Sequence, residues 1–289
     1  MKQHITGHSE FTLVEDHRMH VYQTGIESSP KLVFMSGSGT VSPVHDFKVL
    51  YQQLAQVCRI IVVEKFGYGE SDLYESPTVI DSVVSFQRQA LTAAGVEGPF
   101  ILVPHSMSGL EAIRWGQLYS QEVKAIIGLD MASPQTYQEW NLNTVASRIR
   151  FIGRMRKCLD LGLLFWMPLS TIGLDRQEIR LQRRLWKRNA FNKCYINEAQ
   201  SLISNCRIVD AGGAISCPIL MFISNGKQVS RGWIDNSMQF ASQMNAQTIS
   251  LNCGHYVHHY ESKHICEEIE RFISSLARFR GTPIRPVCP

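Results

Sequence analysis

A continuously apolar run, Phe100-Ile101-Leu102-Val103-Pro104, leads within two residues to Ser106 and then into a helical pattern carrying Ala112, Trp115 and Tyr119. An unbroken apolar strand is one buried on both faces, as in a parallel sheet covered by helices. Parallel neighbours are joined only through crossovers, so this strand–turn–helix unit points to an α/β architecture.

The rest of the chain keeps the same rhythm. Glu10–Val14 and Met19–Tyr22 flank a polar turn and read as an antiparallel hairpin. Strand-like runs follow at Lys31–Met35, Arg59–Val63, Val123–Leu129, Ile219–Ser224 and Thr248–Leu251. Between them, Phe47, Leu50, Tyr51 and Leu54 have helical spacing, as do Ile80, Val83, Val84 and Leu91. Two later helices carry Trp233, Phe240 and Met244, and Ile265, Ile269, Phe272 and Leu276. The expectation is a mostly parallel, doubly wound sheet with helices on both faces. From about residue 133 to 210 no strand-like run occurs, only helical patterns broken by Pro134, Gly162, Pro168 and Gly173. Residues 1–132 and 211–289 therefore read as one core domain, interrupted by a helical cap insertion at 133–210. Residues 131–210 hold 13 basic and 6 acidic side chains, a net of +7 in a chain whose total is +4. That concentration reads first as a solvated helix surface. The Pro-containing tail at 281–289 reads as loosely ordered.

Composition narrows the function classes. A total of +4 is too small to argue for a nucleic-acid partner. The eight cysteines form no C-x-x-C pair, which gives no support to zinc or thioredoxin-like chemistry, and they read as reduced thiols. The N-terminal residues lack a secretory apolar region, and the stretch Leu161–Leu169 is too short to span a bilayer. A cytoplasmic protein without stable membrane insertion is expected. Ser36-Gly37-Ser38-Gly39 lacks the Gly-Lys-Ser/Thr ending of a phosphate loop, so no nucleotide or other cofactor is implied.

The chemistry centres on Pro104-His105-Ser106-Met107-Ser108-Gly109. A serine on a tight strand-to-helix turn, with compact residues at Pro104 and Ser108, exposes its hydroxyl above a helix N-terminus where negative charge is favoured. Near the C-terminus a strand ends in Cys253-Gly254-His255. Together these motifs resemble the α/β-hydrolase superfamily, roughly from Phe11 to Leu276. The elbow has the looser small-x-nucleophile-x-small form, with Gly109 one place late. The resemblance implies Ser106 as nucleophile, His255 as base, and backbone N–H groups of Ser38 and Met107 as the oxyanion hole. It places the acid after one of two strands. The loop after Ile219–Ser224 has no carboxylate before Asp235, whereas Asp130 ends Val123–Leu129; Asp130 is the expected acid and Asp235 the alternative. Glu64 to Asp72 resembles a structural turn of the superfamily. His258 and His259 read as surface or pocket-edge histidines rather than metal ligands.

The implied activity is a carboxylesterase-like serine hydrolase that cleaves a small or medium ester through an acyl-enzyme. An amidase, a lactonase or an acyltransferase shares the same triad, and a non-hydrolytic binding protein on this scaffold is a further alternative. A serine nucleophile argues against the dehalogenase and epoxide-hydrolase chemistries, which use an aspartate in this superfamily. The apolar piece of the insertion (Leu161, Leu163, Leu164, Phe165, Trp166, Met167) is expected to divide between an acyl pocket and the cap's own core.

Overall fold

The computed structural model describes residues 7–75, 79–164 and 166–278; Phe165, Cys288 and the tail at 281–289 lie outside the described residues. The strands are β1 (His8–Val14), β2 (His17–Gly25), β3 (Lys31–Met35), β4 (Arg59–Glu64), β5 (Phe100–Pro104), β6 (Val123–Leu129), β7 (Ile219–Ile223) and β8 (Gln247–Ser250). They form one sheet in the order β1-β2-β4-β3-β5-β6-β7-β8. Only the first two pairings are antiparallel; every later one is parallel. Glu15 and Asp16 join β1 to β2 with φ of 50° and 59°, the left-handed backbone that a two-residue hairpin turn requires.

The helices are α1 (Pro43–Asp46), α2 (Lys48–Leu54), α3 (Ile80–Ala93), α4 (Ser108–Leu118), α5 (Leu142–Asp160), α6 (Arg176–Asn189), α7 (Lys193–Ala211), α8 (Trp233–Gln243), α9 (Val257–Tyr260) and α10 (Ser262–Arg278). Alternate residues of each strand enter opposite cores. Val33, Met35, Ile61, Val63 and Leu102 pack with Leu110, Trp115 and Phe240 from α4 and α8. Leu32, Phe34, Ile60, Val62 and Ile101 pack with Leu50, Leu54, Ile265 and Phe272 from α2 and α10. This is why the strands read as unbroken apolar runs, with each large side chain contributing about 1.5–3 kcal/mol on burial.

Between β6 and β7 the chain is helical: a 3-10 turn at Pro134–Tyr137, then α5, α6 and α7. Asn141, Asp175 and Asn192 cap the three helices by accepting from backbone N–H groups of the first turn. These helices lie over the carboxyl ends of the parallel strands, where ligands bind in open α/β sheets. The seven cysteines among the described residues are unpaired, and no helix among them is long and apolar enough to cross a membrane.

Candidate active site

Ser106 stands between β5 and α4 with φ of 54°, a strained conformation for a serine. The turn can close because its neighbours are small. A Cβ on Gly37 would lie 2.6 Å from the Ser106 Cβ, and one on Gly109 would lie 2.1 Å from the Ala132 carbonyl oxygen. Gly109 is thus needed for the approach of α4 to the chain leaving β6, which the Ala132 N–H to Ser106 carbonyl bond (2.8 Å) closes. Ser108 occupies the compact position of the elbow with a buried hydroxyl 2.7 Å from the Met35 carbonyl oxygen and 2.9 Å from that of His105.

The structure brings the three expected residues together. His255 Nε2 lies 2.9 Å from Ser106 Oγ, and His255 Nδ1 lies 2.6 Å from Asp130 Oδ2. Asp130 ends β6 with φ of 46° and a fully buried side chain. Its second oxygen accepts from the Ser224 backbone N–H (2.8 Å) and from Trp233 Nε1 (2.9 Å). The backbone N–H of His255 donates to Gln228 Oε1 at 3.0 Å. Asp235 sits exposed in the first turn of α8 and makes no hydrogen bond with His255. The Trp233 indole, two residues before it, supports Asp130 instead.

Ser38 and Met107 line the same cavity as Ser106 and His255, and neither amide donates to a backbone carbonyl among the described residues. A buried polar network holds the loop around Ser38. Ser38 Oγ donates to Glu198 of α7 (3.1 Å), and the Tyr68 hydroxyl donates to the same carboxylate (2.6 Å) while accepting from the Gly39 N–H (3.3 Å). Lys65 Nζ then bridges Glu198 (3.0 Å) to Glu111 of α4 (2.7 Å). Burial raises the Glu111 carboxyl above its ordinary range, and Lys65 opposes that rise. Sequence reasoning missed this network. Glu198 and Lys65 are 133 residues apart, and although Lys65 lies in the Glu64–Asp72 turn, Glu198 belongs to no motif.

The cavity over Ser106 holds about 260 Å³. Tyr137, Trp140, Ala199, Leu202 and Met107 give it apolar walls, and Arg148 stands on its rim. None of the described residues from Leu161 to Leu169 lines it, which corrects the expected acyl pocket for Leu161, Leu163, Leu164, Trp166 and Met167; Phe165 lies outside the described residues. Leu164, Met167 and Leu169 pack against Leu159, Trp186 and Ala190, whereas Leu161, Leu163 and Trp166 face solvent. A second cavity of about 680 Å³ adjoins the first and shares Tyr256 and Gln228 with it.

His258 departs from expectation, whereas His259 lines the second cavity as a pocket-edge histidine. His258 is fully buried, and α1 brings Asp46 to both rings, 3.1 Å from His258 Nε2 and 3.2 Å from His259 Nε2. Burial raises and the two imidazoles lower the Asp46 carboxyl, which ends well below the usual carboxylate range. The three groups have their ligand atoms within 4.8 Å of one another. Both histidines are hydrogen-bonded to Asp46 and so tie α9, just past His255, to α1. His105 packs on the His255 ring at 4.7 Å, and burial holds its pKa well below the ordinary imidazole value. In the turn of Glu64 to Asp72, Glu64 accepts from the Val44 and Glu70 N–H groups and Asp72 pairs with Arg18.

No family model matches the chain. The uncharacterized protein YbdG of Bacillus subtilis (strain 168) is 31% identical over 276 residues, covering 90% of this chain and 84% of that one. Among solved structures, haloalkane dehalogenase DbeA from Bradyrhizobium elkani USDA94 superposes with a TM-score of 0.72 at 17% identity, covering 95% of this chain and 99% of that one. The enol-lactonase from Burkholderia xenovorans LB400 superposes with a TM-score of 0.69 at 15% identity, covering 92% and 100%.

Proposed function

We propose that this chain, which belongs with YbdG in one family and has the fold of the α/β-hydrolases, is a serine hydrolase cleaving esters of small or medium acyl groups. The observation that carries this reading is the continuous hydrogen-bonded line from Ser106 through His255 to Asp130. His255 Nε2 takes the hydroxyl proton as Ser106 attacks the ester carbonyl. Asp130 holds the ring so that Nδ1 carries its proton, and stabilises the imidazolium that forms. The tetrahedral oxygen is received by the Ser38 and Met107 amides at the α4 N-terminus. His255 then protonates the departing alkoxide, and a water deprotonated by the same nitrogen releases the acid from the acyl-enzyme. Residues 133–210 act as the cap. The 260 Å³ cavity fits a short to medium acyl chain against Trp140 and Leu202.

Dehalogenation like that named for DbeA is not proposed, because a serine stands at the elbow. The alternative of a non-hydrolytic binding protein drew on the carboxylate-free loop after Ser224; Asp130 beside His255 argues against it. The test is turnover of a p-nitrophenyl ester series by the chain and by Ser106→Ala, with fluorophosphonate labelling of Ser106. Turnover and labelling lost together in Ser106→Ala are expected. An inert, unlabelled chain would overturn the reading.

A further inference from the structure

The apolar turn between α5 and α6 is divided against itself. Leu164 and Met167 go inward, while Leu161, Leu163 and Trp166 are 75%, 57% and 66% exposed. Three large apolar side chains exposed on one short turn are uncommon on a surface meant only for water. Beside them lies a row of cations on α6. Arg176, Arg180, Arg183, Arg184 and Lys187 are all exposed, and at 100° per residue they fall within an arc of about 100°. The buried residues of that helix, Leu185, Trp186 and Asn189, point the other way. None of the five cations pairs with a carboxylate among the described residues. The Arg183 guanidinium donates to the Met167 carbonyl at 2.6 Å, which fixes the turn against the basic row.

We propose that this face, formed by Leu161, Leu163 and Trp166 and the basic row of α6, docks on an anionic lipid surface. The two halves suit two layers of one partner. Apolar side chains and an indole enter the interfacial region, while arginines remain at the charged headgroups. Other partners fit less well. A nucleic acid would match the cations and leave the apolar turn against phosphates. A second copy meeting through the same face would set two basic rows against each other. The inference does not rest on the hydrolase reading. It has a consequence for it, because Pro168, Leu169, Ser170 and Ile172, just past the turn, line the 680 Å³ cavity that adjoins the one over Ser106. Docking would bring that cavity to the membrane.

The test is cosedimentation of the full chain with vesicles of phosphatidylcholine alone or with about one third phosphatidylserine. Binding to the anionic vesicles only, weakening as salt rises, is expected. Arg180→Glu with Arg184→Glu should lower partitioning by about tenfold or more. Leu163→Ser with Trp166→Ser should lower it by about tenfold. All four positions are exposed, so unchanged thermal unfolding of both variants verifies that the fold is intact. The inference is overturned by no binding to anionic vesicles at low salt, or by binding that survives both double substitutions. It is equally overturned by RNA binding that Leu163→Ser with Trp166→Ser leaves intact, or by a dimer that this variant dissolves.

Discussion

Replacing Lys65 by methionine separates a buried ionic network from the packing around it. Among the described residues, Lys65 Nζ is the one cation hydrogen-bonded to Glu111 and Glu198, at 2.7 and 3.0 Å, and all three side chains are at least nine-tenths buried. Methionine keeps most of the apolar stem and removes the charge, leaving two buried carboxylates that face each other through the vacated position. Breaking a buried pair by removing one partner costs about 3–5 kcal/mol. An unfolding entropy of about 2.1 cal/mol/K per residue gives a chain of this length about 0.6 kcal/mol/K, so the expected fall in Tm is roughly 5–8 °C. The deficit should depend on pH in a determined direction. Burial already holds the Glu111 carboxyl above its ordinary value against the opposing effect of Lys65, so removing Lys65 raises it further. A carboxyl raised in the folded state binds its proton more tightly there than in the unfolded chain, whose value is about 4.3. Relative to the parent, the variant therefore loses stability as pH rises from the parent's folded value for Glu111 to its own higher one, by up to about 1.4 kcal/mol per pH unit, and recovers it on acidification. Urea unfolding of both proteins at about pH 5 and about pH 7.5 measures the difference, with titrations common to the two cancelling. A variant within about 1 kcal/mol of the parent at neutral pH, or a deficit equal at both pH values, would refute the reasoning.

Three further substitutions test the site. Asp130→Asn keeps the side-chain volume but removes the charge proposed to hold the His255 tautomer, and kcat on the best ester should fall about 10³–10⁴-fold; a loss under tenfold would remove Asp130 from its proposed role. Tyr68→Phe preserves ring packing against Tyr195 while deleting the link from Glu198 to the Gly39 N–H. It should lower kcat by about tenfold with KM within about twofold, as expected for a contact that positions oxyanion donors. Gly109→Val places a branched side chain where even a Cβ lies 2.1 Å from the Ala132 carbonyl oxygen. It should cost roughly 3 kcal/mol or more in chemical denaturation, and an unshifted midpoint would show that α4 has room to move.

What was legible before the structure was local in origin. Ser106 announced itself because a strand, a tight turn and a helix follow one another in a dozen residues. His255 did so because a strand ends at Gly254. Asp130 was legible for a topological reason. β6 and β7 are parallel neighbours with Leu129 opposite Phe222, so the ends of both strands open on the same point of the sheet edge. An acid leaving either strand can reach His255, and the carboxylate-free loop after Ser224 left Asp130 as the better placed. The network of Lys65, Glu111, Glu198 and Tyr68 obeys no such local rule. Helical periodicity in α7 says which face is buried, but not which loop of the core that face meets. That depends on the angle at which the inserted helices settle, a sum of many contacts with no sequence spacing of its own. The same gap explains the turn after α5. Its composition marks it as apolar, yet only packing against Trp186 and Ala190 decides that Leu164 and Met167 turn inward and Trp166 does not. In this chain the proposed reacting groups are therefore encoded strand by strand. Their support, and the surface the helical segment presents, are set by how that segment docks, so substitutions along α6 and α7 should alter catalysis and association without touching any recognisable motif.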